Sequence, residues 1–214
     1  MKGYTILSNW PAILQQPIPN SYIIYDYKIS QLQAGINNYG NQVGPEITFA
    51  NTLQALGFRI WLVKHAVGST SVDAWLKNTE NYNELINRYQ RLMFLKGWTN
   101  TQFLHKGILY KQGESDANVM PMFEYKSKLL QLSQDLSKDT TNSAFIISKT
   151  RETYYGVNNT SAVAQKELSF ENKNIYLIDK ETYEVNSAED PHLNHNGQQE
   201  LGIDFANIVI NNML

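Results

Sequence analysis

Short apolar runs alternate along this chain with longer segments whose apolar residues recur at helical spacing. Residues 22–25, 59–64, 107–111, 144–148 and 174–178 are rich in Ile, Val, Tyr, Phe and Leu and lie close to Gly or polar turn residues, which predicts strands. Helices are predicted between and after them at 46–56, 82–95, 122–136, 160–168 and 196–213. The first helix opens on Gly44-Pro45-Glu46, where Pro suits the initial helical position and Glu complements the positive end of the helix dipole; Gly57 ends it. This alternation predicts βα units feeding a parallel sheet, an α/β fold with right-handed connections and ligands bound beyond the carboxyl ends of the strands. Chemistry is therefore expected in three segments: Ala66-Val67-Gly68-Ser69-Thr70, Gln112-Gly113-Glu114-Ser115-Asp116 and Glu189-Asp190-Pro191-His192.

Composition narrows the classes. A chain of 214 residues, 42% apolar, fits one domain spanning 1–214 with a core large enough to need neither disulfide nor structural metal. It has no Cys, which removes thiolate catalysis, zinc–sulfur sites and iron–sulfur clusters. Lys+Arg of 18 against Asp+Glu of 20, without a basic stripe, gives an electrostatic hold on nucleic acid no source, so no nucleic-acid partner is expected. The longest apolar stretches, such as 58–63, are strand-sized and short of the roughly 20 residues of a membrane helix, so no membrane partner is expected either. No charged, apolar, small-residue leader is visible within these residues.

Each of the three segments supports a particular chemistry. Gly68 beside two hydroxyl residues offers a backbone N–H to a ligand oxygen, or simply makes a strand-to-loop turn. Gln112 carries an amide that can donate to a developing negative charge, while Glu114 and Asp116 serve equally well as capping and strand-end hydrogen-bond groups. His192 follows an acidic pair within a polar loop, a placement that suits a base steered by a carboxylate. His195 lies one helical turn away, but no third ligand stands at a recognisable metal spacing, so no metal is expected. His65 and His105 read as surface or partly buried histidines. Gly113-Glu114-Ser115-Asp116-Ala117 approximates a G-x-S-x-G nucleophile elbow, with Asp179 and His192 following in triad order, although Ala replaces the last Gly.

Taken together, Gly44 through Ala50, Lys64 through Thr70, Gly107 through Asp116, and His192-Leu193 with Gly197 and Leu201-Gly202 resemble successive blocks of the SGNH hydrolases. The resemblance is to the sialate O-acetylesterase-like group that includes carbohydrate esterase family six, and it runs from Met1 to about Ala206. It implies a three-layer α/β/α, flavodoxin-like domain that removes acetyl groups from carbohydrate with a serine nucleophile and no cofactor. It further implies that the first Gly of the Gly68-Ser69-Thr70 block and the Gln112 side chain form the oxyanion hole, and that His192 is the catalytic base.

This sequence departs from the family pattern twice. The family nucleophile lies in a Gly-Gln-Ser-Asn block after the first, central strand, and Met1-Lys2-Gly3-Tyr4 looks like the tail of that block. The expectation is that strand and serine lie upstream of Met1, together with any secretion leader, so that the chain as given lacks its nucleophile and two neighbouring strands lack a ladder partner, favouring self-association. Ser8 in Leu7-Ser8-Asn9 echoes the Ser-Asn pair but lacks the preceding Gly-Gln. The acid is the second departure: spacing aligns Glu189 with the family Asp, residue type favours Asp190, and both stay open. A noncatalytic carbohydrate-binding or structural module of the same fold is the competing class, to which the 13 tyrosines could contribute stacking surfaces.

Overall fold

The computed structural model describes residues 5–25, 27–36, 42–99, 106–156, 159–188, 190 and 192–214. In chain order its main elements are β1 (Thr5–Ile6), β2 (Ser21–Tyr25), β3 (Lys28–Gln31), β4 (Gln42–Val43), α1 (Glu46–Ala55), β5 (Ile60–Val63) and α2 (Glu80–Lys96). There follow β6 (Gly107–Tyr110), α3 (Met122–Asp139), β7 (Ala144–Ser148), α4 (Glu152–Tyr155), α5 (Thr160–Glu171), β8 (Ile175–Ile178) and α6 (His195–Asn212). The five predicted strands and five predicted helices all form within a few residues of their expected bounds, so the α/β class holds. Hairpin strand β3, the short β1–β4 pair and α4 are additions that the apolar pattern does not show. The chain packs as two compact units, residues 1–66 with 182–214, and residues 67–181.

In the first unit a three-stranded sheet runs β3-β2-β5, with β2 and β5 parallel and β3 returning antiparallel through a tight turn at Tyr25↔Lys28. Consecutive Ile23 and Ile24 on β2 are both fully buried, as expected of a strand covered on both faces. Helix α1 follows Pro45 and carries Glu46 in its first turn, where the carboxylate is paired with Lys64 at 2.7 Å. Burial alone would raise the Glu46 pKa, but the Lys64 ammonium outweighs it and holds the carboxyl below its ordinary value.

Helices α1 and α6 pack through Ile47, Ala50, Leu201, Phe205 and Ala206, all fully buried. Their contact depends on Gly202: a methyl placed there would lie 2.1 Å from Thr48 Oγ1 and 2.2 Å from the Pro45 carbonyl oxygen. The Thr48 hydroxyl in turn donates to the Gln199 carbonyl at 2.8 Å, so it is not free to swing away without loss. Gly202→Ala is therefore expected to force the helices apart and to cost about 3 kcal/mol, seen as a drop of roughly 6–12 °C in Tm. An unchanged melting curve would show that the helix contact is looser than this spacing requires.

The second unit holds an all-parallel sheet, β6-β7-β8, in register Ile108↔Phe145 and Ile146↔Tyr176. Central β7 buries Phe145, Ile146, Ile147 and Ser148. On α3, Tyr125, Leu129, Leu132 and Leu136 recur at three and four residues and are all buried, the stripe that seats the helix in the core with Ala164 and Leu168 of α5. Helix ends are set by local chemistry: Thr79 and Asn159 side chains accept from Tyr82 N–H and Ala162 N–H, and Gly97 closes α2 with φ of 62°. Segments 111–116 and 149–152 thereby emerge from the carboxyl ends of β6 and β7.

Candidate active-site residues

In the first unit, the segment leading into α6 folds back on itself through an antiparallel bridge between Val185 and Leu193. Asn186 N–H donates to the His192 carbonyl at 2.9 Å across the mouth of this loop. Asp190 lies within it. Its N–H donates to Ser187 Oγ at 3.2 Å, and its Oδ2 accepts from Asn186 Nδ2 at 2.9 Å. Its Oδ1 accepts the His192 backbone N–H at 3.0 Å and also contacts His192 Nδ1. The Asn186 amide, then the His192 N–H and ring, hold the Asp190 carboxyl below its ordinary pKa. A carboxylate on Nδ1 fixes the ring proton there and makes Nε2 the acceptor nitrogen. The His192 side chain is 49% exposed, so a substrate can reach the ring. Of the two candidate acids, Asp190 makes this contact; Glu189 lies outside the described residues. His195 is the first residue of α6, behind the Asn194 cap that accepts Gly197 N–H at 3.0 Å. His105 also falls outside the described residues.

In the second unit, the left-handed residue of the Gly68 segment is Ser69, with φ of 58°, while Gly68 itself is not left-handed. Thr70 Oγ1 donates to the Val67 carbonyl at 3.1 Å and accepts the Trp75 indole N–H at 2.9 Å, which stiffens the segment. Gln112 leaves β6 with its side-chain amide fully engaged. Its Oε1 accepts the Tyr110 hydroxyl at 2.6 Å, and its Nε2 donates to the Thr70 carbonyl at 2.9 Å and to Asp116 Oδ2 at 2.5 Å. The two segments expected to supply oxyanion donors are thus directly bonded. Below them lies a buried polar layer: Gln165 Nε2 donates to the Gln112 carbonyl at 2.9 Å, and Gln165 Oε1 accepts Thr150 N–H at 2.8 Å. Burial raises the pKa of Tyr125, which also touches this layer, and pushes Tyr110 well above its ordinary value.

Glu114 and Asp116, alike in the sequence, take different roles. Glu114 pairs with Lys111 and is half-buried, whereas Asp116 is 1% exposed. Ser115 is exposed in the turn between Tyr110, where β6 ends, and Met122, where α3 opens. It is not among the left-handed residues, so the sharp strand-to-helix geometry of a nucleophile elbow is absent. Asp179, the acid expected to complete a Ser115 triad, contacts the buried ammonium of Lys149.

Comparison with known proteins adds a family. The model of the carbohydrate esterase, sialic acid-specific acetylesterase family matches residues 24–211. The chain belongs to that family. Its members being carbohydrate esterases, the expected SGNH-type resemblance and the hydrolase class both stand. Two solved structures share the fold of this sialic acid-specific acetylesterase family member. An Arabidopsis thaliana protein aligns with a TM-score of 0.77 at 20% identity, covering 98% of this chain and 88% of its own. NanS aligns with a TM-score of 0.71 at 13% identity, covering 98% and 92%. Curated protein sequences give no match. No described helix is long and apolar enough to cross a membrane.

Two features escaped the sequence reading of this esterase-family chain. One is the Asp116–Gln112 contact, whose only sequence signal is a spacing of four residues between an acid and an amide. The other is the charge cluster around Lys149, where Glu152, three residues on, meets Asp179 and Glu181 from the segment after β8.

Proposed function

We propose that this chain is the esterase domain of a serine hydrolase that removes acetyl groups from carbohydrate, spanning 1–214. The observation that supports it most is the Asp190 carboxylate on His192 Nδ1, the arrangement of a general base with its ring oriented and its imidazolium stabilised. In this reading His192 Nε2 takes the proton of the attacking serine and returns it to the sugar oxygen as the C–O bond breaks. Asp190 is the orienting acid. Gly68 N–H and the Gln112 amide stabilise the tetrahedral oxyanion, and water then releases acetate from the acyl-enzyme. The serine is the one of the family's Gly-Gln-Ser-Asn block, a sequence these 214 residues do not contain. Ser115 is not the nucleophile.

Release of 4-nitrophenol from 4-nitrophenyl acetate tests the proposal. The 214 residues alone are expected to show no serine-dependent turnover. Joined behind a strand bearing Gly-Gln-Ser-Asn, the protein should hydrolyse the ester and release acetate from O-acetylated sialic acid. In that protein Gln112→Ala should lower kcat by about 10²–10³, and His192→Ala should lower it at least as far. Hydrolysis by the short chain that vanishes in Ser115→Ala would overturn the assignment in favour of an elbow serine. Glycan binding without acetate release would favour the noncatalytic module.

A further inference from the structure

A carboxylate is expensive to bury, and burial drives the Asp116 pKa upward despite the Gln112 amide and Val72 N–H that favour its charge. Only one of its oxygens makes hydrogen bonds: Oδ2 accepts Gln112 Nε2–H at 2.5 Å and Val72 N–H at 3.0 Å, while Oδ1 is buried without a hydrogen-bond partner. Capping of α3 does not account for this placement, because that helix begins only at Met122 and neither donor belongs to it; Val72 instead opens the single 3-10 turn Val72–Trp75, whose first N–H the carboxylate satisfies from 44 residues away. Both donors belong to the segments that carry the proposed oxyanion groups. Val72 follows the Gly68-Ser69-Thr70 block, and the Thr70 carbonyl accepts the other Gln112 amide hydrogen at 2.9 Å.

The two ends of a glutamine amide are nearly the same shape, so only its partners decide which end is the donor. Tyr110 does not decide, since a hydroxyl donates and accepts. The Asp116 carboxylate and the Thr70 carbonyl only accept, and they require the NH₂ end on their side. Of these two, the carboxylate makes the stronger, charge-assisted bond.

We propose that Asp116 is a positioning residue whose buried Oδ2 clamps the Gln112 amide and the backbone at Val72 together, holding the Gln112 and Gly68 oxyanion groups as one preorganised pair. The proposal rests on the esterase reading for the purpose of the clamp, but the clamp itself is measurable without turnover. A donor whose NH₂ end is already held toward the site has little to rearrange when charge develops, which is why such fixing matters in acyl transfer. The bond from Gln112 to the Thr70 carbonyl is then the one exchanged for the oxyanion, while the Asp116 bond persists.

The test follows the Gln112 Nε2 protons and the Val72 backbone N–H by NMR in the ¹⁵N-labelled 214-residue chain, across acid pH, in the native protein, Asp116→Asn and Asp73→Asn. The charged and titratable groups facing Asp116 are Asp73, Lys128 of α3, and the hydroxyls of Tyr110 and Tyr125. In the native chain and in Asp73→Asn, one Gln112 proton and the Val72 N–H should shift together with a shared midpoint above the ordinary aspartate value. In Asp116→Asn that shared titration should vanish and exchange of the Gln112 protons with solvent should accelerate at least tenfold, with the Leu129 and Phe145 signals kept. Separate midpoints for Gln112 and Val72, or loss of the shared one in Asp73→Asn, would overturn the clamp. So would unchanged Gln112 exchange in Asp116→Asn. If Asp116→Asn does not fold, the native titration and the Asp73→Asn control decide alone. A shared titration alongside full ester turnover by Gln112→Ala in the serine-bearing protein would keep the clamp and discard the oxyanion role.

Discussion

Replacing Gly113 with alanine is expected to cost about 3–5 kcal/mol, among the largest effects of any single methyl in the chain. Two independent penalties add. The backbone at Gly113 has φ of +133°, a region that L side chains rarely enter. A methyl there would also lie 2.3 Å from Thr150 Oγ1 and 2.9 Å from both Gln165 Nε2 and the Tyr125 hydroxyl. None of these neighbours can retreat cheaply, because Gln165 is spanned between the Gln112 carbonyl and Thr150 N–H, and all three are buried. Tm should fall by roughly 6–20 °C. The double variant Gly113→Ala/Thr150→Ala relieves the nearest collision but neither the backbone strain nor the two approaches at 2.9 Å, so at least about 1–3 kcal/mol of the loss should remain. A single variant melting within 2 °C of the native chain would refute both terms.

Lys149→Met should be comparably damaging and, unlike the glycine change, should depend on pH. The Lys149 side chain is 2% exposed and meets Glu181 Oε1 at 2.9 Å, Glu152 Oε1 at 3.4 Å and the Asp179 carboxylate. Removing the cation takes the buried ammonium from Glu181 and Asp179, while Glu152 keeps Lys166 at 2.7 Å, and breaking such a cluster costs about 3 kcal/mol. Burial by itself raises the Glu181 pKa, but the Lys149 ammonium and the Thr153 and Glu152 N–H groups overcome that and bring it down to about 2. A carboxyl depressed in the folded state stabilises the fold above its ordinary value, here 4.5, and that contribution is lost as pH falls toward 2. The difference between native and Lys149→Met stability, measured by urea unfolding, should therefore be full at pH 7 and shrink by pH 3. A difference that stays constant over that range would show that Glu181 does not rely on the lysine.

The sequence made the scaffold legible because its strands and helices carry their own periodicity. Strand β7 reads as a continuous apolar run since it is covered on both faces, and α3 reads as a stripe since one face is covered. Strand β3 did not show, because Lys28-Ile29-Ser30-Gln31 is an edge with polar, partly exposed residues and no run of apolar ones. The same division applies to the site. His192 and Gln112 stand out as residue types in short motifs after apolar runs. What Asp116 and Lys149 do is set by partners up to 44 residues away in the chain, such as Val72, and a single sequence carries no mark of those pairings. The acid shows the limit most plainly: between Glu189 and Asp190 spacing and residue type pull opposite ways, and the contact of Asp190 with His192 Nδ1 arises from the folding of the loop, which neither signal carries.

The indole of Trp75, which donates to Thr70 Oγ1, gives the Gly68 segment an optical voice of its own. Anything that displaces that segment, an acylated sugar or a covalent inhibitor included, must disturb the hydrogen bond at the indole nitrogen and with it the colour and intensity of its emission. Ligand arrival can thus be read by fluorescence from a residue that takes no part in the chemistry, with a Trp75→Phe chain, which keeps the emission of Trp10, Trp61 and Trp98, as the reference to subtract.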